Sequence, residues 1–190
     1  MINFSDWVKF EVSRMFNIQS PAPRSIKTYA EGNVPYVSSG GVNNGIVSYL
    51  EPKENEKLEK GNCITISPLE GTPAFFQEND FLGRGGAGSA ISMLYNENLT
   101  EYNALFICTV IKICATKFDY SDAFTSDNLK TLKMPLPAQK NSDGTLYVEE
   151  NKKYCNEGYV PDWDFMNNYM ISIEKKSQKR IDILKQISLL

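Results

Sequence analysis

The chain has 190 residues, 42% of them apolar, and a formal charge of -3. That is enough for one sizeable core, and it excludes a strongly basic nucleic-acid binder of the histone type while leaving room for a local basic patch. Histidine is absent, which removes serine–histidine and cysteine–histidine nucleophile pairs, histidine general bases and most catalytic metal sites.

In chain order, "DWVKFEVSRMF" alternates large apolar with polar residues through Trp7, Phe10, Val12 and Phe16, and reads as a strand entering a short turn. "SPAPRS" breaks regular structure. "NVPYVSSGGVNNGIVSYL" predicts a hairpin, with strands near 34–37 and 45–50 joined across Asn43-Asn44-Gly45. The stretch "EPKENEKLEKG" reads as a charged surface segment, followed by a strand at 63–67 and another short one in "GTPAFFQENDF".

The run "DFLGRGGAGSA" then reads as a glycine-rich turn before a strand in "SAISML". "TEYNALFICTVIKICATKF" is the candidate buried helix, capped by Thr100. "NLKTLKMPLP" predicts a strand ending at Pro135 and Pro137. After Pro161 there is neither glycine nor proline to the end, and one long helix is expected, with Asp162 near its N-terminus. Met166, Met170, Ile173, Leu184 and Ile187 recur on it at spacings of three and four, interrupted by Ser177 and Arg180. Such a helix needs a partner surface, and a uniform coiled coil is not expected.

No segment has the apolar length of a membrane span, and "MINFSDWVKF" lacks the features of a signal peptide, so a cytoplasmic protein is expected. Cys63, Cys108, Cys114 and Cys155 form no C-x-x-C pair and read as buried, reduced thiols.

Three lookalike chemistries fail on their context. Gly83, Gly85 and Gly88 match G-x-G-x-x-G, but a dinucleotide fingerprint opens a helix, and a strand-like stretch follows here. Asp162 with Glu174, Lys175 and Lys176 has the letters of a magnesium nuclease. On one helix, however, the carboxylates are about 18 Å apart at 1.5 Å per residue, too far to share an ion. Neither a methyl-donor loop nor an Asn/Asp-Pro-Pro-Tyr tetrapeptide is present. The chain therefore reads as non-catalytic and in need of no cofactor or metal.

What remains is a set of polar tips. Arg24 and Lys27 lie in the first loop, Ser38, Ser39, Asn43 and Asn44 in the hairpin, Arg84 in the glycine run, and Ser121 and Lys130 in "DYSDAFTSDNLK". Arginine, lysine, asparagine and serine hydrogen-bond phosphates and base edges, provided that the fold gathers them on one face.

The order of segments carries a resemblance: "WVKFEVSRMF", "NVPYVSSGGVNNGI", "KGNCITIS", the Phe- and Gly-rich stretch, then "LKMPLP" and "PDWDFMNNYM" leading into a helix. It resembles a target recognition domain of the specificity subunit of Type I restriction–modification systems, or the related part of Type IIB and IIG enzymes. The resemblance implies an α+β fold: a mixed-sheet recognition domain over 1–160, and a spacer or dimerisation helix over 161–190.

It implies double-stranded DNA and methyltransferase subunits as partners, catalysis residing in those partners, and DNA contact by the loop residues named above. A full specificity subunit has two such domains and two helices. One domain with one helix therefore points to a half-subunit or a shortened form, which a homodimer pairing its helices antiparallel would complete. The rival expectation is a shortened interaction protein that binds the methyltransferase subunit without reading DNA.

Overall fold

The computed structural model describes residues 4–67, 74–86, 90–115 and 126–187. Strand β1 (Trp7–Glu11) runs directly into one helical turn, α1 (Val12–Met15), and β2 (Asn17–Gln19) follows. Then come β3 (Glu31–Val37), β4 (Ile46–Leu50), β5 (Cys63–Ile66), β6 (Ala74–Gln77), β7 (Leu82–Gly83) and β8 (Ser92–Tyr95). Helices α2 (Glu101–Ala115) and α3 (Ser126–Thr131), strand β9 (Lys133–Pro137) and helix α4 (Trp163–Ile187) complete the order.

The strands form three sheets, β1-β9, β2-β8-β5-β6 and β4-β3-β7. The first two are antiparallel, whereas β3 pairs antiparallel with β4 and parallel with β7. The fold is α+β with mixed pairing, as the sequence led one to expect. Pro135 and Pro137 are tolerated because, among the described strands, β9 pairs with β1 alone, so an imino nitrogen can face away from the ladder.

Helix α2 forms despite its β-branched and cysteine content because most of its surface is covered, by β5 and β6 on one side and by α4 and β9 on others. Ala104, Ile107 and Ile111 are fully buried in a core shared with Phe10, Ile64, Leu94, Met134 and Leu136. Each large side chain of that kind contributes about 1.5–3 kcal/mol, and tertiary burial on this scale overrides weak local propensity. Its N-terminus is held reciprocally: the Asn103 amide donates to Thr100 Oγ1 at 3.3 Å and the Thr100 amide to Asn103 Oδ1 at 2.8 Å. This is a capping box with asparagine at the third position.

Two elements depart from expectation. Ser126–Thr131, read as a polar tip running into a strand from Asn128, is the helix α3, seated on α1 with Leu129 buried in the core. The glycine run contains the short strand β7, and close approach explains its glycines better than unusual backbone angles do. A Cβ at Gly85 would stand 2.1 Å from the Pro21 carbonyl, and one at Gly83 would be 2.7 Å from Pro21 Cβ. Of the two, neither has a positive φ.

All four cysteines are free and buried. Burial pushes the Cys63 thiol up to about 12. No described helix is long and apolar enough to cross a membrane.

Candidate nucleic-acid interface

The parallel register of β3 on β7 pairs Tyr36 with Leu82 and Val37 with Gly83. Chain leaving the two strands therefore emerges at one end of the sheet, and Arg84 comes to lie beside the hairpin loop 38–45. The Arg84 amide donates to the Val37 carbonyl at 2.8 Å, and its own carbonyl accepts from the Ile91 amide at 3.1 Å. Its side chain is exposed on a main chain fixed from both sides.

The hairpin loop is held as firmly. Ser38 N–H donates to Gly45 O, and Gly45 N–H to Val42 O, each at 2.9 Å. Asn43 and Asn44 have φ of 51° and 52°, a left-handed conformation that asparagine tolerates better than most residues. Both are exposed, as is Val42 between Gly41 and Asn43. Beneath them the buried Gln77 amide donates to Asn44 O at 2.8 Å and to Thr65 Oγ1 at 2.9 Å. Ser39, Asn43, Asn44 and Arg84 thus share one rim. Ser38, expected on it, is only 8% exposed and packs below.

Arg24 also corrects the sequence reading. Its side chain is 3% exposed and occupied within the protein. Nε donates to Glu56 at 2.7 Å, Nη1 to Glu59 at 2.6 and 2.8 Å and to Gly83 O at 3.1 Å, and Nη2 to Lys57 O at 2.8 Å. A buried guanidinium so engaged has no donor face left for DNA. Burial opposes ionisation of Glu56, but hydrogen bonds from Arg24, Tyr29 and the Lys53 amide, with the Arg24 charge, hold its carboxyl at about 2. The segment read as a charged surface thus supplies the partners of the arginine. The signal was present in the three-residue spacing of Glu56 and Glu59, but only the fold shows what they meet.

Lys27 is exposed on the turn Ile26–Thr28 that precedes β3. Lys130 lies on α3 rather than on a loop tip, exposed, with its ammonium 3.0 Å from Asp127. Ser121 lies outside the described residues.

On α4 the Asp162 carboxylate accepts from the Phe165 amide at 2.8 Å and caps the helix. Trp163 and Met166 are buried in the main core, and Met170 packs against it. The partner stripe therefore does not begin where the spacing placed it, because Met166 is already used by its own domain. From Ile173 onward every described residue of the helix is exposed, including Ile181, Ile183, Leu184 and Ile187, the last two at 65% and 62%. That stretch is about 21 Å long at 1.5 Å per residue.

The nuclease letters separate along the same continuous helix. Asp162 is spent on the cap, and Glu174 accepts from Tyr102 Oη at 2.6 Å. Between β1, the end of β9 and α4 there is a cleft of about 590 Å³, lined among others by Trp7, Lys140, Phe165, Tyr169 and Lys176. The sequence reading did not single it out.

The family model of the Type I restriction modification DNA specificity domain matches residues 4–182. The Type II restriction enzyme BgcI specificity subunit S.BcgI of Heyndrickxia coagulans is 30% identical over 155 residues, which cover 80% of this chain and 39% of that protein. The HsdS subunit from Thermoanaerobacter tengcongensis superposes with a TM-score of 0.55 at 15% identity, over 98% of this chain and 41% of that one.

A chain from a structure of complex assembly and conformational transition in the type I R-M system gives 0.57 at 15% identity, over 97% and 43%. These two structures establish the fold. The chain spans about two fifths of the length of the relatives it matches. With nearly all of its length matched by the family model and a specificity subunit at 30% identity, the chain belongs to the Type I restriction modification DNA specificity domain family.

Proposed function

We propose that the chain reads double-stranded DNA in a sequence-specific manner and directs the methyltransferase, and where present the endonuclease, subunits of a restriction–modification complex to the site. The observation that carries this reading is the rim at the end of the β4-β3-β7 sheet, where Ser39, Asn43, Asn44 and Arg84 stand together on backbone held by hydrogen bonds. Arginine pairs with guanine O6 and N7 or with phosphate, and asparagine with adenine N6 and N7. Pre-ordering of such side chains lowers what must be immobilised on binding. Lys27 and Lys130 are exposed cations of the kind that contact phosphate.

In this reading residues 1–160, with the root of α4, form the recognition unit, and the exposed stretch from Ile173 onward is the surface for a methyltransferase subunit or a second copy. Ile173, Leu184 and Ile187 supply its apolar contacts. The chain itself carries no chemistry, and it acts in the cytoplasm, where the DNA is. Selection of bound duplexes from a random library at near-physiological salt tests the proposal, since low salt lets the non-specific phosphate term mask preference. The expected result is an enriched motif, obtained by the chain alone or with its methyltransferase. Absence of enrichment in both arms would refute the reading.

A further inference from the structure

Among the described strands β7 pairs with β3 alone, and at Gly83 its other edge is closed by side chains, between main-chain bridges at Phe81 and Gly85. On that edge Gly83 N–H donates to Glu59 Oε2 at 2.8 Å and Gly83 O accepts from Arg24 Nη1 at 3.1 Å. The same two groups form an ion pair at 2.6 Å, with side chains 3% and 9% exposed. One buried Arg–Glu pair thus satisfies both main-chain polar groups of the residue immediately before Arg84, as a neighbouring strand would. Glu59 is fixed in turn through its backbone, which exchanges two hydrogen bonds with Phe81 at 2.9 and 3.1 Å, and Glu59 Oε1 accepts from the Ala22 amide at 3.3 Å. Gly83 and Gly85 press against Pro21 and Ala22 so closely that no Cβ fits. The whole assembly leaves Arg84 little backbone freedom.

We infer that Arg24 and Glu59 are positioning residues for DNA recognition, an ion pair that sets the main chain beneath Arg84 so that its guanidinium meets the duplex in one orientation. The inference rests on the reading of Arg84 as a DNA contact. A pair of this kind is a poor route to stability compared with apolar packing; its geometry, with the fork of Arg24 reaching Glu56, Glu59, Gly83 O and Lys57 O at once, is suited to fixing a register. Arg24→Lys keeps the charge and loses the fork. Glu59→Gln is isosteric, keeps an acceptor for Gly83 N–H and loses the charge.

The experiment is a cycle on the full chain, with its methyltransferase if the complex is needed for binding. Affinity is measured for the library-enriched duplex and for an unenriched duplex of equal length, at a temperature where circular dichroism shows each variant folded. Arg24→Lys and Glu59→Gln should each lower the ratio of the two affinities about tenfold when Arg84 is present, and less than twofold in an Arg84→Ala background. Equal losses in both backgrounds, or no loss in either, would overturn the positioning role while leaving Arg84 a reader. An unchanged ratio for Arg84→Ala itself would remove both the contact and the pair that serves it.

Discussion

The side-chain amide of Gln77, buried at the end of β6, donates to the main-chain carbonyl of Asn44 at 2.8 Å and so ties the tip of one sheet's hairpin to the edge strand of another. Gln77→Leu removes this tie and the bond to Thr65 together. Loss of a buried hydrogen-bond pair destabilises by about 1–3 kcal/mol. The expected result is a lower melting temperature together with faster exchange of the Ser38 and Gly45 amides, whose bonds close the same loop. Exchange rates unchanged from the parent would show that the hairpin holds itself.

Asn44 allows stability to be separated from binding. Its φ of 52° suits glycine, so Asn44→Gly should shift stability by no more than about 0.5 kcal/mol. If the side chain reads a base, the variant loses about 1–3 kcal/mol of preference for the enriched duplex, measured by competition binding. A variant that binds as the parent does would take Asn44 out of the interface.

What the sequence showed and what it hid follow from one distinction. The hairpin, α2 and α4 were legible because their signals are local: an Asn-Asn-Gly turn between apolar stretches, a long apolar segment after Thr100, and a stretch without breakers after Pro161. The rim was half legible for the same reason, since Asn43 and Asn44 had to be exposed at a turn. Arg24 was misread because its fate depends on Glu56 and Glu59, more than thirty residues away in sequence, and exposed loops and buried ion pairs draw on the same residue types. Met166 shares a stripe with Leu184, yet one end of that stripe meets α2 and the core while the other meets solvent. Periodicity reports a face and not its occupant. The helix α3 was missed because it is six residues long and anchored by the buried Leu129, too short a stretch for a period to register.

The same ion-pair network that fixes Gly83 makes stability depend on pH. Glu56 titrates at about 2 in the folded chain against an ordinary value of 4.5. A folded value below the unfolded one means that the stabilising contribution is fully present above pH 4.5 and is lost as pH falls from there toward 2. Other carboxylates held below their ordinary range, such as Asp80 beside Lys60, act in the same direction. Melting temperatures between pH 6 and pH 2 should therefore fall more steeply for the parent than for Glu56→Gln, which has no such proton to take up. Parallel profiles for the two proteins would mean that the Arg24–Glu56 contact does not survive in solution.

The two halves of α4 should respond oppositely to substitution. Met166→Ala opens a cavity in the core and is expected to destabilise by about 2–5 kcal/mol. Leu184→Asp and Ile187→Asp, on exposed positions, should leave the stability within about 0.5 kcal/mol of the parent, while abolishing whatever association the exposed stretch mediates. Salt then identifies the occupant. Between Ile173 and Ile187 five cations, Lys175, Lys176, Lys179, Arg180 and Lys185, outweigh two anions, Glu174 and Asp182. Two copies paired antiparallel would bring these stretches together, so self-association should tighten as salt screens them, the screening length falling from about 10 Å at 0.1 M to about 3 Å at 1 M. An acidic face on a methyltransferase subunit would give the reverse, a complex that loosens with salt. Sedimentation velocity of the chain alone and with its methyltransferase, at 0.1 M and 0.5 M salt, distinguishes them. A monomer at both salts, with tight salt-weakened binding to the methyltransferase, would sink the homodimer and leave the helix as a docking arm.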